Sequence, residues 1–207
     1  MNSPPFDTVE ILLFDLGGVV LDIDFTRVGR YWATQAGIAP DQISAKALEV
    51  DYARHERGEI ESSAYLDGIR RLLGLQLDDR QMLAGWNALF IGVVPGMPAL
   101  LNAAASRYPL YLFTNTNNAH RQFWQIHYAA VLRLFEELFI SCEMGLRKPD
   151  AQAFTFIANR LGRDFHQILF FDDSPENIEV AQNLGMPAVL VQSIDDVRKT
   201  LMRLGIN

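Results

Sequence analysis

The chain of 207 residues carries 25 acidic and 18 basic side chains, a formal charge of −7, with 49% hydrophobic and 21% charged residues. That length fits one domain of roughly 100–200 residues or a core with an insertion, and the composition excludes a disordered chain. The acidic balance argues against a nucleic acid or an anionic membrane as partner, and the lone Cys142, read as a small buried core thiol, excludes a disulfide framework and a cysteine-rich metal site.

The opening stretch MNSPPFDTVE has neither the basic segment nor the apolar run of a secretory leader. No later apolar run approaches the ~20 residues of a membrane span, so a cytoplasmic location is expected. Short apolar runs then recur along the chain, each ending at a polar residue: Val9–Phe14 before Asp15, Leu110–Phe113 before Thr114, Leu138–Ile140 before Ser141, Ile168–Phe171 before Asp172, and Ala188–Val191 before Gln192. They are continuous rather than alternating, which predicts strands buried on both faces of a parallel sheet.

Between the first two runs, residues 22–94 show no strand-like segment. They predict helices over Thr26–Ala36, Ile43–Arg57, Ser62–Leu73 and Asp79–Phe90, an α-helical cap inserted into the core. Pro95–Gly96 and Met97–Pro98 mark the return, so residues 1–21 and 95–207 form the core and 22–94 the cap. Further on, Phe154, Ile157, Ala158 and Leu161 repeat at helical spacing ahead of Gly162. Ser174 followed by Pro175 reads as a capping hydroxyl and a first-turn proline. Strand–helix alternation of this kind gives an α/β, Rossmann-like parallel sheet flanked by helices.

Ligands of open parallel sheets bind beyond the carboxyl ends of the strands. The polar residues expected there are Asp15, Thr114 with Asn115, Lys148 in GLRKPD, and Asp172 with Asp173. Singly, each reads equally as a turn former, a helix cap or a surface charge. Together, at successive strand ends, they suit a divalent cation and a phosphoryl group. Their hard oxygen donors suit Mg²⁺, which takes one or two carboxylates plus substrate phosphate and water.

These segments resemble the motifs of the haloacid dehalogenase superfamily, in the branch whose helical cap follows the first strand. ILLFDLGGVV resembles the first motif, LFTNT the second, the lysine of GLRKPD the third and FFDDSPENIEVAQNLG the fourth. The resemblance implies a phosphatase with Asp15 as nucleophile and Thr114 and the Asn115 backbone cradling phosphate at a helix N-terminus. It implies Lys148 as the charge partner, Mg²⁺ held by Asp15, the Gly17 carbonyl and Asp173, and Asp172 in support. Asn177 falls where many relatives have a second acid. DLGGVVLDIDF, HERGEI, TNTNNAH followed by FW, and LRKP also resemble bacterial sugar-phosphate phosphatases acting on α-glucose 1-phosphate.

The substrate expected is therefore a small-molecule phosphate ester, bound by a monomer or homodimer. His55 and Arg57, with Glu56 and Glu59, are the cap residues expected to read it; Trp86 and Asn87 are weaker candidates. The alternative reading of HERG is a solvated helix end turning at Gly58. His120, His127 and His166 lack metal-ligand spacing and read as structural, and Trp32 and Trp124 as packing residues. Gly17 departs from the family, which usually has an acid/base aspartate there. A missing acid favours leaving groups that depart well as anions, hence anomeric 1-phosphates, with Asp22 and Asp24 as substitutes. Two rival functions remain: a 2-haloacid dehalogenase, and a non-catalytic protein binding a phosphorylated ligand or partner.

Overall fold

The structure, a computed structural model, describes residues 6–206. Residues 1–5 of the stretch in which no leader is read, and Asn207 at the end of the predicted core, lie outside it.

Among the described residues, seven strands and twelve α-helices follow in chain order. The chain runs β1 (Ile11–Phe14), β2 (Leu21–Ile23), α1 (Thr26–Ala36), α2 (Lys46–Glu49), α3 (Tyr52–Glu56), α4 (Ser62–Leu72), α5 (Asp79–Asn87) and β3 (Phe90–Val93). It continues through α6 (Met97–Ala105), β4 (Leu110–Thr114), α7 (Asn118–His127), α8 (Ala129–Leu132), β5 (Glu137–Ile140) and α9 (Ser141–Met144). It closes with α10 (Ala151–Leu161), β6 (Ile168–Asp172), α11 (Pro175–Asn183), β7 (Ala188–Leu190) and α12 (Ile194–Arg203).

Five strands form one sheet in the order β5-β4-β1-β6-β7, every pairing parallel. The five apolar runs are these strands, within two residues at each end. Period-two alternation divides their side chains between two cores: Leu12, Phe14, Leu112 and Phe171 face one, Ile11, Leu13, Phe113 and Phe170 the other. Phe14 stacks on its register partner Phe171 at 4.4 Å between ring centroids, the kind of cross-strand aromatic pair that stabilises a sheet beyond area burial. Because β1 is central, with β4 on one side and β6 on the other, Asp15 leaves the sheet at its switch point.

Four expectations need correction. The segment expected to lack strands begins and ends in one: β2 and β3 pair antiparallel, with Asp22 opposite Gly92. Phe90, expected at the end of a helix, belongs to this ribbon. The helix expected over Ile43–Arg57 is broken into α2 and α3, because Val50 is extended and Asp51 left-handed at φ 57°. The Ser174 side chain caps nothing. Instead its own N–H donates to Asp172 Oδ1 at 2.8 Å, so the aspartate fixes the start of α11.

Helices α1–α5 bury a third apolar cluster that includes Val28, Trp32, Tyr65 and Trp86. The Trp32 indole donates to the Met82 carbonyl, which satisfies the group that burial would otherwise strand. Trp32 and Trp124 are fully buried, as packing residues should be. Cys142 is only partly buried: it packs at the margin of the first core, where α9 also brings its carbonyl up to the Gly58 turn.

Candidate active site

Each catalytic candidate stands where a strand of the sheet ends. Asp15 follows β1, Thr114 ends β4, Asp172 ends β6 and Asp173 follows it. Lys148 arrives from beyond β5, by way of α9. It is 1% exposed, and its ammonium donates to Asp15 Oδ1 at 2.7 Å, Asp172 Oδ2 at 2.7 Å and the Phe113 carbonyl at 2.9 Å. A buried ammonium has three donors, and here each is used. Desolvation, the largest influence on Lys148, pulls its pKa down. The two carboxylates outweigh that, so it is held above its ordinary value.

Asn115 keeps this lysine in place. Its amide donates to the Lys148 carbonyl and its oxygen accepts from the Lys148 N–H, both at 2.9 Å. The Asn115 side chain is therefore committed, and its backbone is what remains for a ligand. The helix N-terminus expected at Thr114–Asn115 lies further on: α7 starts at Asn118, and Asn117 caps it by accepting from the His120 N–H. Thr114 lines the cavity, its hydroxyl held only by a long 3.4 Å bond to the Asn115 carbonyl.

The acidic groups differ in freedom. Oxygens of Asp15, Asp172 and Asp173 lie within 4.8 Å of one another. Both oxygens of Asp172 are taken, Oδ2 by Lys148 and Oδ1 by the Ser174 N–H and the Asn177 amide. Asp15 and Asp173 remain for an ion. Burial raises the Asp15 carboxyl to about 7, with Lys148 pulling down and Asp172 and Asp173 pushing up. Asp173 is raised first by desolvation and then by the Asp172 charge. Three carboxylates against one ammonium leave an excess of negative charge that a divalent cation neutralises. The donor set, all hard oxygen, fits Mg²⁺. Gly18, at φ 77°, lies so close that any Cβ would overlap the Asp173 carboxylate.

Above this floor lies a cavity of about 270 Å³, into which Asp15, Gly17, Thr114, Asn115, Lys148 and Asp173 all open. Its roof comes from the inserted segment: Phe25, Tyr52, Glu56 and Phe90. His55 and Arg57 do not line it. His55 is buried, stacked on Tyr65 at 4.1 Å and hydrogen-bonded to Ser62, while Arg57 pairs with Glu59 outside. Trp86 packs on His120, and neither Trp86 nor Asn87 reaches the cavity. His120 does line it, but both ring nitrogens are engaged, with Asn117 and the Trp86 carbonyl. Asp22 is exposed on the ribbon and Asp24 is paired with Arg30, so neither substitutes at Gly17. Tyr52 was missed by the sequence reading; its signal is its spacing, four residues before Glu56 on one face of α3.

A central-strand aspartate, a buried lysine from beyond the next strands and an acidic pair, roofed by an insertion after the first strand, define a capped α/β hydrolase. The chain belongs to the haloacid dehalogenase-like hydrolases, whose family model matches residues 9–185. It is similar to phosphatase MT3486 of Mycobacterium tuberculosis, 28% identical over 96% of each chain. It is also similar to flavin mononucleotide hydrolase 1 of Arabidopsis thaliana, 29% identical over 95% of this chain and 78% of that one. Among solved structures, a HAD family enzyme of Bacteroides thetaiotaomicron in complex with magnesium and inorganic phosphate superposes with a TM-score of 0.76. It is 29% identical, over 87% of this chain and 92% of that one.

Proposed function

We propose that the protein hydrolyses a small phosphate monoester with Mg²⁺, through a phosphorylated Asp15. The observation that carries this reading is the buried Lys148, clamped between Asp15 and Asp172 under a cavity of negative charge. Asp15 attacks phosphorus in line, the bond from phosphorus to the ester oxygen breaks, and water then cleaves the aspartyl-phosphate. Lys148 fixes the attacking carboxylate, and with the Thr114 hydroxyl and the Asn115 backbone it steadies the phosphoryl oxygens. Asp15, the Gly17 carbonyl and Asp173 would hold Mg²⁺, which when bound would neutralise charge on the nucleophile and the phosphoryl group.

Leaving-group size and acidity narrow the substrate. The cavity, about 270 Å³, sits at the lower edge of the roughly 300–1,000 Å³ of small-molecule sites. That suits a sugar better than a flavin. Gly17 offers no acid, and Asp22 and Asp24 lie outside the cavity. A sugar 1-phosphate, leaving through a hemiacetal hydroxyl more acidic than an alcohol, is therefore favoured over a 6-phosphate. Dehalogenation needs no cation, and the uncompensated carboxylates count against it.

The test is phosphate release from aryl, anomeric and primary alkyl phosphates, with Mg²⁺ and with EDTA. Release that ignores EDTA removes the metal from this reading, and binding without release makes the protein a binder of phosphorylated ligands. Asp173→Ala should weaken Mg²⁺ at least about 10-fold, read from the Mg²⁺ dependence of turnover. An unchanged dependence removes Asp173 from the ion's ligands.

A further inference from the structure

The proposed chemistry leaves the roof facing the leaving group unassigned, and one charged side chain stands in it. Glu56 is 3% exposed yet opens into the cavity. The Arg147 Nε and Nη2 both meet its Oε2, each at 2.8 Å. Among the described residues this is the one ion pair between segment 22–94 and the rest of the chain. Arg147 immediately precedes Lys148, so the pair ties the roof to the loop that carries the floor's ammonium. Gly58, at φ 72°, lets the turn after α3 approach so closely that a Cβ would overlap the Cys142 carbonyl. Between these two contacts Glu56 is held at a fixed height above the floor.

A carboxylate in that position repels a phosphate dianion and any second anionic group. What it attracts is a hydroxyl donor. Two guanidinium donors and the Tyr52 hydroxyl take three of the roughly four acceptor positions of a carboxylate, which leaves one for the cavity that Glu56 and Tyr52 both line. We propose that Glu56, locked by Arg147 and flanked by Tyr52, is a specificity-determining residue that accepts a hydrogen bond from a hydroxyl of the leaving group. It selects uncharged, polyhydroxylated leaving groups over aryl or anionic ones. The inference rests on the phosphoryl group occupying the floor as described above. Burial raises the Glu56 pKa, while Arg147 and the Tyr52 hydroxyl, which both donate to the carboxylate, and the Lys148 charge pull it back down.

The experiment measures binding, so that it does not depend on turnover. Asp15→Asn is titrated by calorimetry, with Mg²⁺ present, against glucose 1-phosphate, phenyl phosphate and phosphoglycolate. The expected result is that glucose 1-phosphate binds tightest. Adding Glu56→Gln should reduce its advantage over phenyl phosphate by about 10-fold, the scale of a hydrogen bond to a charged group. A ratio unchanged by Glu56→Gln, or a preference of Asp15→Asn alone for either other ligand, overturns the proposal. So does failure of all three to bind. Where Glu56→Gln melts too early to use, Tyr52→Phe in the same background tests the same pair: a smaller ratio supports the proposal and an unchanged one overturns it. If the wild type releases no phosphate while the binding ratios behave as expected, the hydrolytic reading fails and this one stands.

Discussion

In the floor of the cavity almost every polar atom has its partner chosen. Lys148 spends three donors on three acceptors, Asp172 uses both oxygens, and Asn115 uses both ends of its amide. Asn115 and Asp172 stand at strand ends of a sheet buried on both faces, and Lys148 reaches between those ends from the loop after α9. The roof is the opposite. Tyr52 and Glu56 sit on a helix of five residues, Phe25 is 39% exposed, and one ion pair ties the segment down. The contrast teaches where precision is needed: the groups proposed to react are positioned by rigid elements, while the surface proposed to read the leaving group rests on short pieces.

Breaking the floor should do the most. Asp15→Asn preserves shape and hydrogen bonding but removes the nucleophile, and phosphate release should fall by roughly 10³-fold or more. A variant that keeps a substantial rate would show that Asp15 is not attacked. Lys148→Met leaves Asp15 and Asp172 facing each other without a cation. The fold should lose about 3–5 kcal/mol, measured by urea unfolding without Mg²⁺, along with activity. A loss under 1 kcal/mol would mean the network contributes little to stability.

Gly17→Asp sharpens the comparison, since it adds an acid at the boundary of floor and roof. Its Cβ would come within 2.9 Å of Ile23 Cδ1, so Ile23 must rotate away. Turnover of primary alkyl phosphates should rise relative to anomeric ones, short of the roughly 10²–10⁴-fold that a well-positioned acid provides. No change in that ratio would separate Gly17 from leaving-group preference. The gentlest probe is acid. Burial holds His55 at about 4 and His120 at about 3, against an ordinary 6.5. Groups depressed on folding contribute stability in full above pH 6.5 and lose it as pH falls toward their folded values. Asp15, raised to about 7, gains stability over the same range, so the quantity to read is a difference: between pH 6.5 and 4 the melting temperature of the wild type should change less favourably than that of His55→Gln. Parallel profiles for the two would show that the His55 ring is not buried neutral.

The sheet was legible because each of its strands is a continuous apolar run, and the floor because Asp15, Thr114, Lys148 and Asp173 stand immediately after such runs or in a motif beyond one. The roof was legible only as helices. A three-residue strand such as β2 has no period to detect, and Phe90 fits a helical stripe as well as a ribbon. Which residues of HERG face the cavity depends on helix phase. The left-handed Asp51 resets that phase, and nothing local to His55 or Arg57 announces it. Glu56 thus faces inward while His55 turns to Tyr65 and Arg57 to Glu59.

The two-stranded ribbon has a mechanical consequence. Because β2 and β3 are hydrogen-bonded to each other, the outgoing and returning chains form a stalk that resists bending along its own length. At its base Gly17 and Gly18 lead in and Pro95 and Gly96 lead out, and the Gly18 N–H is tied to the Leu21 carbonyl. The turn that follows Asp15 and packs against Asp173 thus belongs both to the acidic floor and to the foot of the ribbon, so a substitution in that turn bears on both.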